Sequence, residues 1–167
     1  MTLTLFDAAL MATTLLCALT AGLVFGFYAV VMPGIAKLSD RDFLLTFKLI
    51  DGVIQDRQPA FMLVWVGSIV SAASLLVLGT LQLSGVELYL VWFAASLYLL
   101  AVQGPTVRFN IPLNNAVQAL EIESLSAQEL AEARTEFEAP WNRWNRFRTM
   151  AAIVSVVALL ILQLLLR

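Results

Sequence analysis

Long uncharged, apolar stretches alternate with shorter polar ones along this chain. Four gaps without any charged residue follow one another, between Asp7 and Lys37, Arg57 and Glu87, Glu87 and Arg108, and Arg148 and Arg167. An α-helix needs about 20 mainly apolar residues to cross the hydrocarbon core of a bilayer. The pattern therefore predicts four membrane-spanning helices, near residues 8–32, 60–82, 88–107 and 147–166.

The apolar stretches are continuous, whereas strands of a membrane barrel alternate apolar with polar residues and are about half as long. The first stretch has no basic start and is longer than the apolar run of about 7 to 15 residues in a secretory signal, so we interpret it as a span. The expected fold class is all-α, an integral membrane four-helix bundle with helical cytoplasmic connections. Residues 1–167 would form a single transmembrane domain.

Composition and charge agree with this picture and add an orientation. The chain is 60 % hydrophobic and only 13 % charged, unlike an ordinary soluble domain. Basic residues concentrate in the two long connections, at Lys37, Arg41, Lys48, Arg57, Arg108, Arg134, Arg143, Arg146 and Arg148, with Arg167 alone on the other side. By the positive-inside rule we expect both termini outside and the long connections in the cytoplasm, in a bacterial inner membrane.

Local patterns predict how the helices begin, end and pack. Ala18, Gly22 and Gly26 recur every four residues, which is typical of a face that packs against another helix. Met32-Pro33-Gly34 is expected to end this first span. Ser39 with Asp42 resembles a capping box and predicts the start of a cytoplasmic helix. That helix would carry Phe43, Phe47, Ile50 and Ile54 on one face and Lys48, Asp51 and Gln55 on the other.

The third connection contains two further helix signals. Gly104-Pro105 is expected to interrupt the third helix and free backbone groups that neighbours or water must satisfy. Ser126 with Glu129 forms a second capping-box pattern, which predicts that the connection is divided into two short helices. Pro140 would then precede the start of the fourth span.

Polar side chains form two clusters near the predicted cytoplasmic ends of the spans. The first holds Gln103, Thr106, Arg108, Asn110, Asn114 and Asn115, and the second holds Trp141, Asn142, Trp144, Asn145 and Arg148. Helical spacing places Trp141, Asn145 and Arg148 on one stripe, which would stack on a flat substrate and hydrogen-bond its oxygens. Two structural interpretations stay open: Trp and Arg anchor a helix at the membrane interface, or the asparagines join helices without a ligand.

Several kinds of site lack support in the sequence. Histidine is absent, which removes the commonest metal ligand and general base, and the single Cys17 lies within a span. We find no phosphate-binding glycine loop, haem-attachment motif or nucleophile elbow, so neither a metal nor a cofactor is expected. The available carboxylates include Asp51 and Glu138, although such groups usually lie on a solvated face or in a surface ion pair.

Three motifs carry a resemblance to a known family. They are Gly22-Leu23-Val24-Phe25-Gly26-Phe27 leading to Met32-Pro33-Gly34, Thr106 with Asn110-x-Pro112-Leu113-Asn114, and Trp141-x-x-Trp144-Asn145-x-x-Arg148. Over nearly its whole length the chain resembles the anthrone oxygenase-like family of small four-helix membrane proteins. Fungal members of that family convert an anthrone to an anthraquinone with dioxygen, and no metal or organic cofactor is established for them.

The resemblance implies a cofactor-independent oxygenase, of monooxygenase type, that acts on an aromatic or quinone-like small molecule. Site roles implied by it are enolate stabilisation by Arg148, orientation of carbonyls by Asn110, Asn114 and Asn145, ring stacking by Trp141 and Trp144, and proton abstraction by Asp51 or Glu138. Expected partners are membrane lipid, the aromatic substrate and dioxygen, without nucleic acid, and a homo-oligomer is left open.

Two other classes of function compete with this one. The main alternative is a non-enzymatic membrane protein that binds a lipid-soluble ligand or serves as an accessory subunit, in which the Asn and Trp residues only join helices. A transporter is less favoured, because no charged residue lies in the interior of a predicted span, where ion relays normally occur.

Overall fold

The fold, seen in a computed structural model that describes residues 4–166, is helical throughout. Its five helices are α1 (Leu5–Ile35), α2 (Asp40–Gln55), α3 (Pro59–Gln82), α4 (Gly85–Gln118) and α5 (Ala127–Leu165). A short 3₁₀ turn, Ile122–Ser124, lies between α4 and α5. No strand occurs in residues 4–166, so the predicted all-α class is confirmed; Arg167 lies outside the described residues.

Helices α1, α3, α4 and α5 are each long and apolar enough to cross a membrane, with mean hydropathies of 2.2, 2.3, 1.8 and 2.1. They form the predicted bundle, in which α1 and α4 each pack against both α3 and α5. Their outer faces expose large apolar side chains such as Leu63, Val77 and Leu100. This is the arrangement expected of helices whose outer solvent is lipid.

Two apolar cores are stacked along the bundle. The first lies among the four long helices and includes Cys17, Leu75, Val91 and Leu159. The second lies where α2 covers one end of α4 and α5, and is built around Phe43, Phe47, Phe137 and Trp141. The rings of Phe47 and Phe137 are 4.4 Å apart between centroids. Helix α2 therefore closes one end of the bundle rather than lying apart from it.

The predicted packing face of the first span is wrong within this chain. Ala18 and Gly22 are exposed, and a methyl group added at Gly22 or Gly26 would meet no atom within 4 Å. Helix α1 instead buries the neighbouring face that holds Cys17 and Val24. The close helix approach is made by α3, where a methyl group on Gly79 would lie 2.8 Å from Cγ1 of Val91.

Helix α4 continues through Gly104-Pro105, so the interruption predicted there is wrong. Two π-helical segments, Tyr98–Gln103 and Thr106–Asn110, flank this dipeptide. Proline has no backbone N–H, and wider π turns accommodate the missing bond without ending the helix. Such π segments often occur at functional sites. A third π segment, Phe27–Val31, lies in α1, and Met32-Pro33-Gly34 immediately precedes its last residue, Ile35, close to where the first span was expected to end.

The predicted capping box at Ser126 and Glu129 is confirmed, because each side chain bonds the other residue's backbone N–H. The short helix expected after this box is instead the first part of α5, which runs without interruption from Ala127 through Pro140 to Leu165. Phe137 and Trp141 are buried on either side of Pro140, and their packing offsets the hydrogen bond that proline removes. The fourth span and residues 127–146 before it thus form one continuous helix.

Asp51 is buried, although the sequence placed it on the polar face of its helix. Only 2 % of its surface is exposed. Phe43, Phe47 and Asp51 are spaced by four residues, so the carboxylate follows the two buried rings toward the interior of the bundle. Lys48 stays near the surface, where its Nζ donates to the carbonyl of Leu120 at 2.7 Å. Helix α2 therefore positions the carboxylate of Asp51 in the interior of the protein.

Arg134 joins α5 to the turn between α1 and α2. Its guanidinium donates to Oε2 of Glu138 at 2.7 Å, to Oδ1 of Asp40 at 3.0 Å and to the carbonyl of Ala36 at 2.8 Å. It also lies over the ring of Phe43, 4.4 Å from the centroid. The hydrogen bond to Glu138 raises the pKa of Arg134. Glu138 is thereby engaged in holding the end of the bundle together.

Candidate functional site

A cavity of about 290 Å³ lies between the two apolar cores, beside helix α2. Aromatic and aliphatic side chains form most of its wall, including Phe27, Phe47, Phe61, Trp65 and Trp141. Exposed Gln55 and Arg57 also line it, so it opens to the surface near the turn between α2 and α3. A mostly apolar wall with polar side chains that converge on it is typical of a small-molecule site.

Arg148 brings a positive charge to the inner part of this cavity. The residue is 9 % exposed. Its Nε donates to Oδ1 of Asn145 at 3.0 Å, and its Nη1 donates to Oγ1 of Thr106 at 3.1 Å. Nη2 has no hydrogen-bond partner, and the guanidinium no ion-pair partner, within residues 4–166. A buried charge held only by neutral groups favours an anionic ligand, because burial without a counter-charge is costly.

Asp51 contributes a carboxylate to the same cavity. Oδ1 accepts a hydrogen bond from Nδ2 of Asn114 at 2.7 Å, and Oδ2 accepts from Nε2 of Gln118 at 2.9 Å and Nε2 of Gln55 at 3.1 Å. No described cation forms an ion pair with it. Amide donors therefore stabilise and orient this carboxylate without neutralising its charge.

Hydrogen bonds connect the carboxylate to the wall that carries the arginine. Oδ1 of Asn114 accepts a hydrogen bond from the indole Nε1 of Trp141 at 2.7 Å, while Nδ2 of Asn114 donates to Asp51. The Trp141 ring in turn lies 5.5 Å from the guanidinium carbon of Arg148. Asn114 therefore fixes the N–H edge of the indole, and the guanidinium lies over its ring. These contacts hold the Trp141 ring in place as part of the cavity wall.

Asn110 offers a hydrogen-bond acceptor that the protein leaves unused. It is 1 % exposed, and its Nδ2 donates to the carbonyl of Trp141 at 3.3 Å. Oδ1 is the one buried side-chain oxygen or nitrogen without a partner in the described part of the chain. Such atoms are rare because each loses its bonds to water. Since Asn110 lines the cavity, a ligand hydroxyl would supply the missing donor.

The eight residues predicted for the site do not all reach the cavity. Asp51, Asn110, Asn114, Trp141 and Arg148 line it. Asn145 lies behind Arg148, where its Nδ2 donates to the carbonyl of Val24 at 3.2 Å and its Oδ1 orients the guanidinium. The structure therefore unites six of the eight predicted residues around one cavity, five in its wall and one in support.

Trp144 and Glu138 lie elsewhere. Trp144 stacks on Phe109 with ring centroids 3.8 Å apart and an interplanar angle of 4°. Glu138 lines a separate groove beside Arg143 and Arg146 and pairs with Arg134. In this geometry Trp144 packs helix α5 against α4, and Asp51 is the carboxylate beside the cavity.

Sequence reasoning did not assign site roles to several other lining residues. Gln103 accepts a hydrogen bond from Nε1 of Trp65 at 2.9 Å and donates one to the hydroxyl of Tyr98 at 2.9 Å. Thr106 supports Arg148, and Arg57 lies at the mouth. The sequence signal for Gln103 and Thr106 was their polarity at the end of an apolar span. Trp65 and Arg57 gave no comparable signal.

One comparison with known proteins gives a match. The family model described as anthrone oxygenase matches residues 61–158 of the chain. The matched stretch contains Asn110, Asn114, Trp141, Asn145 and Arg148, whereas Asp51 and Arg57 precede it. No curated protein matches the chain, and no solved structure matches it.

Proposed function

Since the chain belongs to the anthrone oxygenase family, we propose that it is a membrane oxygenase that acts, without a cofactor, on an aromatic or quinone-like molecule in this cavity. The observation that carries the proposal is the buried Arg148, which has no carboxylate partner among the described residues and shares its cavity with the buried Asp51. A fixed positive charge placed where negative charge develops is an effective means of stabilising a transition state.

The first step is proton removal. An anthrone carries an acidic C–H group across the ring from its carbonyl. The carboxylate of Asp51 accepts this proton, and the electron pair of the C–H bond moves through the ring to the carbonyl oxygen. The resulting enolate oxygen is stabilised by the N–H groups of Arg148 that the protein leaves unpaired. A charged donor in a site with little water is worth more than the same donor in solution.

The second step uses dioxygen as the oxidant. The electron-rich enolate transfers an electron to dioxygen, and the two radicals join to form a carbon–oxygen bond. The peroxide takes back the proton from Asp51, and the hydroperoxide then loses water to leave a second carbonyl. One anthrone and one dioxygen thus give one anthraquinone and one water. The protein's part is to hold the reactants close and to stabilise the enolate.

The remaining wall residues fit a flat, oxygen-bearing ligand. Trp141, Phe27 and Phe47 present rings to the cavity, and pairs of aromatic rings stack or meet edge to face. The unused acceptor of Asn110 would take a hydrogen bond from a phenolic hydroxyl on the substrate. The basic connections favour a cytoplasmic position for the cavity, and in that orientation it would receive a lipid-soluble substrate at the interface.

Oxygen uptake by the purified, detergent-solubilised protein tests this function. With emodin anthrone as substrate we expect a rate above autoxidation, one dioxygen consumed per anthraquinone formed, no release of hydrogen peroxide, and no loss of rate in excess chelator. An Asn110→Ala/Arg148→Ala double variant, shown by its thermal unfolding to be folded, should return the rate to that of autoxidation.

Two results would contradict the proposal. A rate that a chelator abolishes would require a metal in the reaction. A wild-type rate equal to autoxidation, with tight binding of the anthrone in the cavity, would support a non-enzymatic ligand-binding protein instead. In the latter case Arg148 and Asn110 would act in recognition alone.

A further inference from the structure

Arg57 adopts a backbone conformation that an arginine rarely has. Its φ is 56°, and it is the only described non-glycine residue with a positive φ. Its N–H bonds the carbonyl of Ile54 at 3.0 Å, and that of Gln58 bonds the carbonyl of Val53 at 3.3 Å. These paired bonds define a Schellman helix end, whose left-handed position is usually glycine. A β-carbon there is unfavourable, so the turn alone would favour glycine over arginine at this position.

The cost of this conformation is not offset by any polar interaction of the Arg57 side chain with the described residues. It makes no ion pair and no side-chain hydrogen bond with residues 4–166. The residue is exposed, yet it lines the mouth of the cavity. A strained residue with an unpaired charge beside a cavity indicates a role in ligand binding rather than in folding.

The charges of the cavity wall specify the charge of the ligand. Its acidic and basic residues are Asp51, Arg57 and Arg148, one acidic and two basic, which gives a formal net charge of +1. A substrate with one fixed negative group balances this charge before reaction. When Asp51 takes the C–H proton, the wall reaches +2 and the substrate reaches −2. A substrate of this class keeps the cavity neutral at both stages.

We propose that Arg57 is a specificity-determining residue, which binds a fixed acidic group, a carboxylate or an ionised phenol, at the end of the aromatic substrate nearest the cavity mouth. The inference rests on the cavity's being the substrate site, as in the proposed function. It does not require oxygenation to occur. Arg148 then holds the reacting oxygen inside, and Arg57 holds the opposite end of the same molecule.

Equilibrium binding of two matched probes tests this role. Anthraquinone-2-carboxylate and anthraquinone-2-carboxamide have nearly the same shape and differ in charge, and Trp65 and Trp141 in the wall report binding by fluorescence quenching. For the wild-type protein we expect the carboxylate to bind about five- to tenfold more tightly than the carboxamide. In Arg57→Asn and Arg57→Gly this preference should fall to about twofold or less.

Stability separates a binding role from a structural one. Because asparagine and glycine tolerate the left-handed conformation, both variants should keep the wild-type Tm or raise it by about 1 to 3 °C. A structural arginine would instead lower the Tm when it is replaced. Arg108→Asn is the matched control: it removes an exposed charge at the same end of the bundle, outside the cavity wall, and should leave the preference intact.

A wild-type protein that binds both probes equally, or neither, would overturn the proposal, as would a preference that survives in Arg57→Asn. Oxygen uptake is scored separately. If the charge preference depends on Arg57 but no turnover is seen, the specificity role stands and the oxygenase function fails. If turnover is seen without a charge preference, the oxygenase function stands and the specificity role of Arg57 fails.

Discussion

Replacement of Arg148 by glutamine lowers kcat for anthrone oxidation by about 100- to 1000-fold, the effect expected when a donor to a developing oxyanion is lost. Glutamine keeps polar atoms near Asn145 and Thr106 but removes the charge that stabilises the enolate. Because the guanidinium is buried without a counter-charge among the described residues, its removal should not lower the Tm by more than a few degrees. Steady-state oxygen uptake and thermal unfolding on the same samples measure both effects.

The control for Arg148 is its neighbour Arg146. Arg146 is exposed and lies outside the cavity wall, so Arg146→Gln should retain nearly full activity. Arg148→Lys provides a second variant, because it keeps the charge while losing the planar fork of donors, and should keep part of the rate. Aggregation of both Arg148 variants would assign the residue to folding. A kcat within about threefold of wild type in Arg148→Gln would contradict its catalytic role.

Replacement of Asp51 by asparagine has the second large effect, a fall in kcat of about 100- to 10,000-fold. The amide has the shape of the carboxylate but cannot accept the C–H proton. Its neighbours Asn114, Gln118 and Gln55 are themselves amides and can reorient to hydrogen-bond it. Binding of an anthraquinone probe should therefore change by less than about threefold, and the loss should appear in kcat rather than KM.

Glu138 distinguishes this base from the other carboxylate candidate. Its ion pair with Arg134 lies outside the cavity wall, so Glu138→Gln should lower the Tm while leaving kcat near the wild-type value. Loss of turnover in Glu138→Gln with retention in Asp51→Asn would reverse the assignment. Retention in both variants would mean that neither carboxylate is the base.

The helical architecture could be predicted from the sequence because a membrane-spanning segment must satisfy its own backbone hydrogen bonds. Four uncharged apolar stretches of sufficient length leave a helical bundle as the consistent fold. The apolar pattern did not predict that α4 and α5 continue without a break through Pro105 and Pro140. Whether a proline breaks a helix depends on flanking packing, such as that of Phe137 and Trp141, which forms only in the folded protein.

The site was partly predictable for a related reason. Helical spacing alone aligned Trp141, Asn145 and Arg148, and the structure places all three on the buried side of α5. Asp51 follows the apolar Phe47 by four residues, so helical spacing also indicates that it is buried. Asp51 was instead grouped with Lys48 and Gln55 on the polar face. Arg57 could not have been found, because its position depends on a left-handed turn that no residue pattern marks when glycine is absent.

The measurement that most directly tests the central claim is the anaerobic absorption spectrum of emodin anthrone mixed with the protein near neutral pH. Without dioxygen the reaction stops after proton transfer, so the spectrum shows whether the cavity holds the substrate as an anion at Arg148. We predict that the enolate band appears in proportion to wild-type protein, is lost in Arg148→Gln and forms slowly in Asp51→Asn. A wild-type protein that binds the anthrone only in its neutral form would contradict the claim.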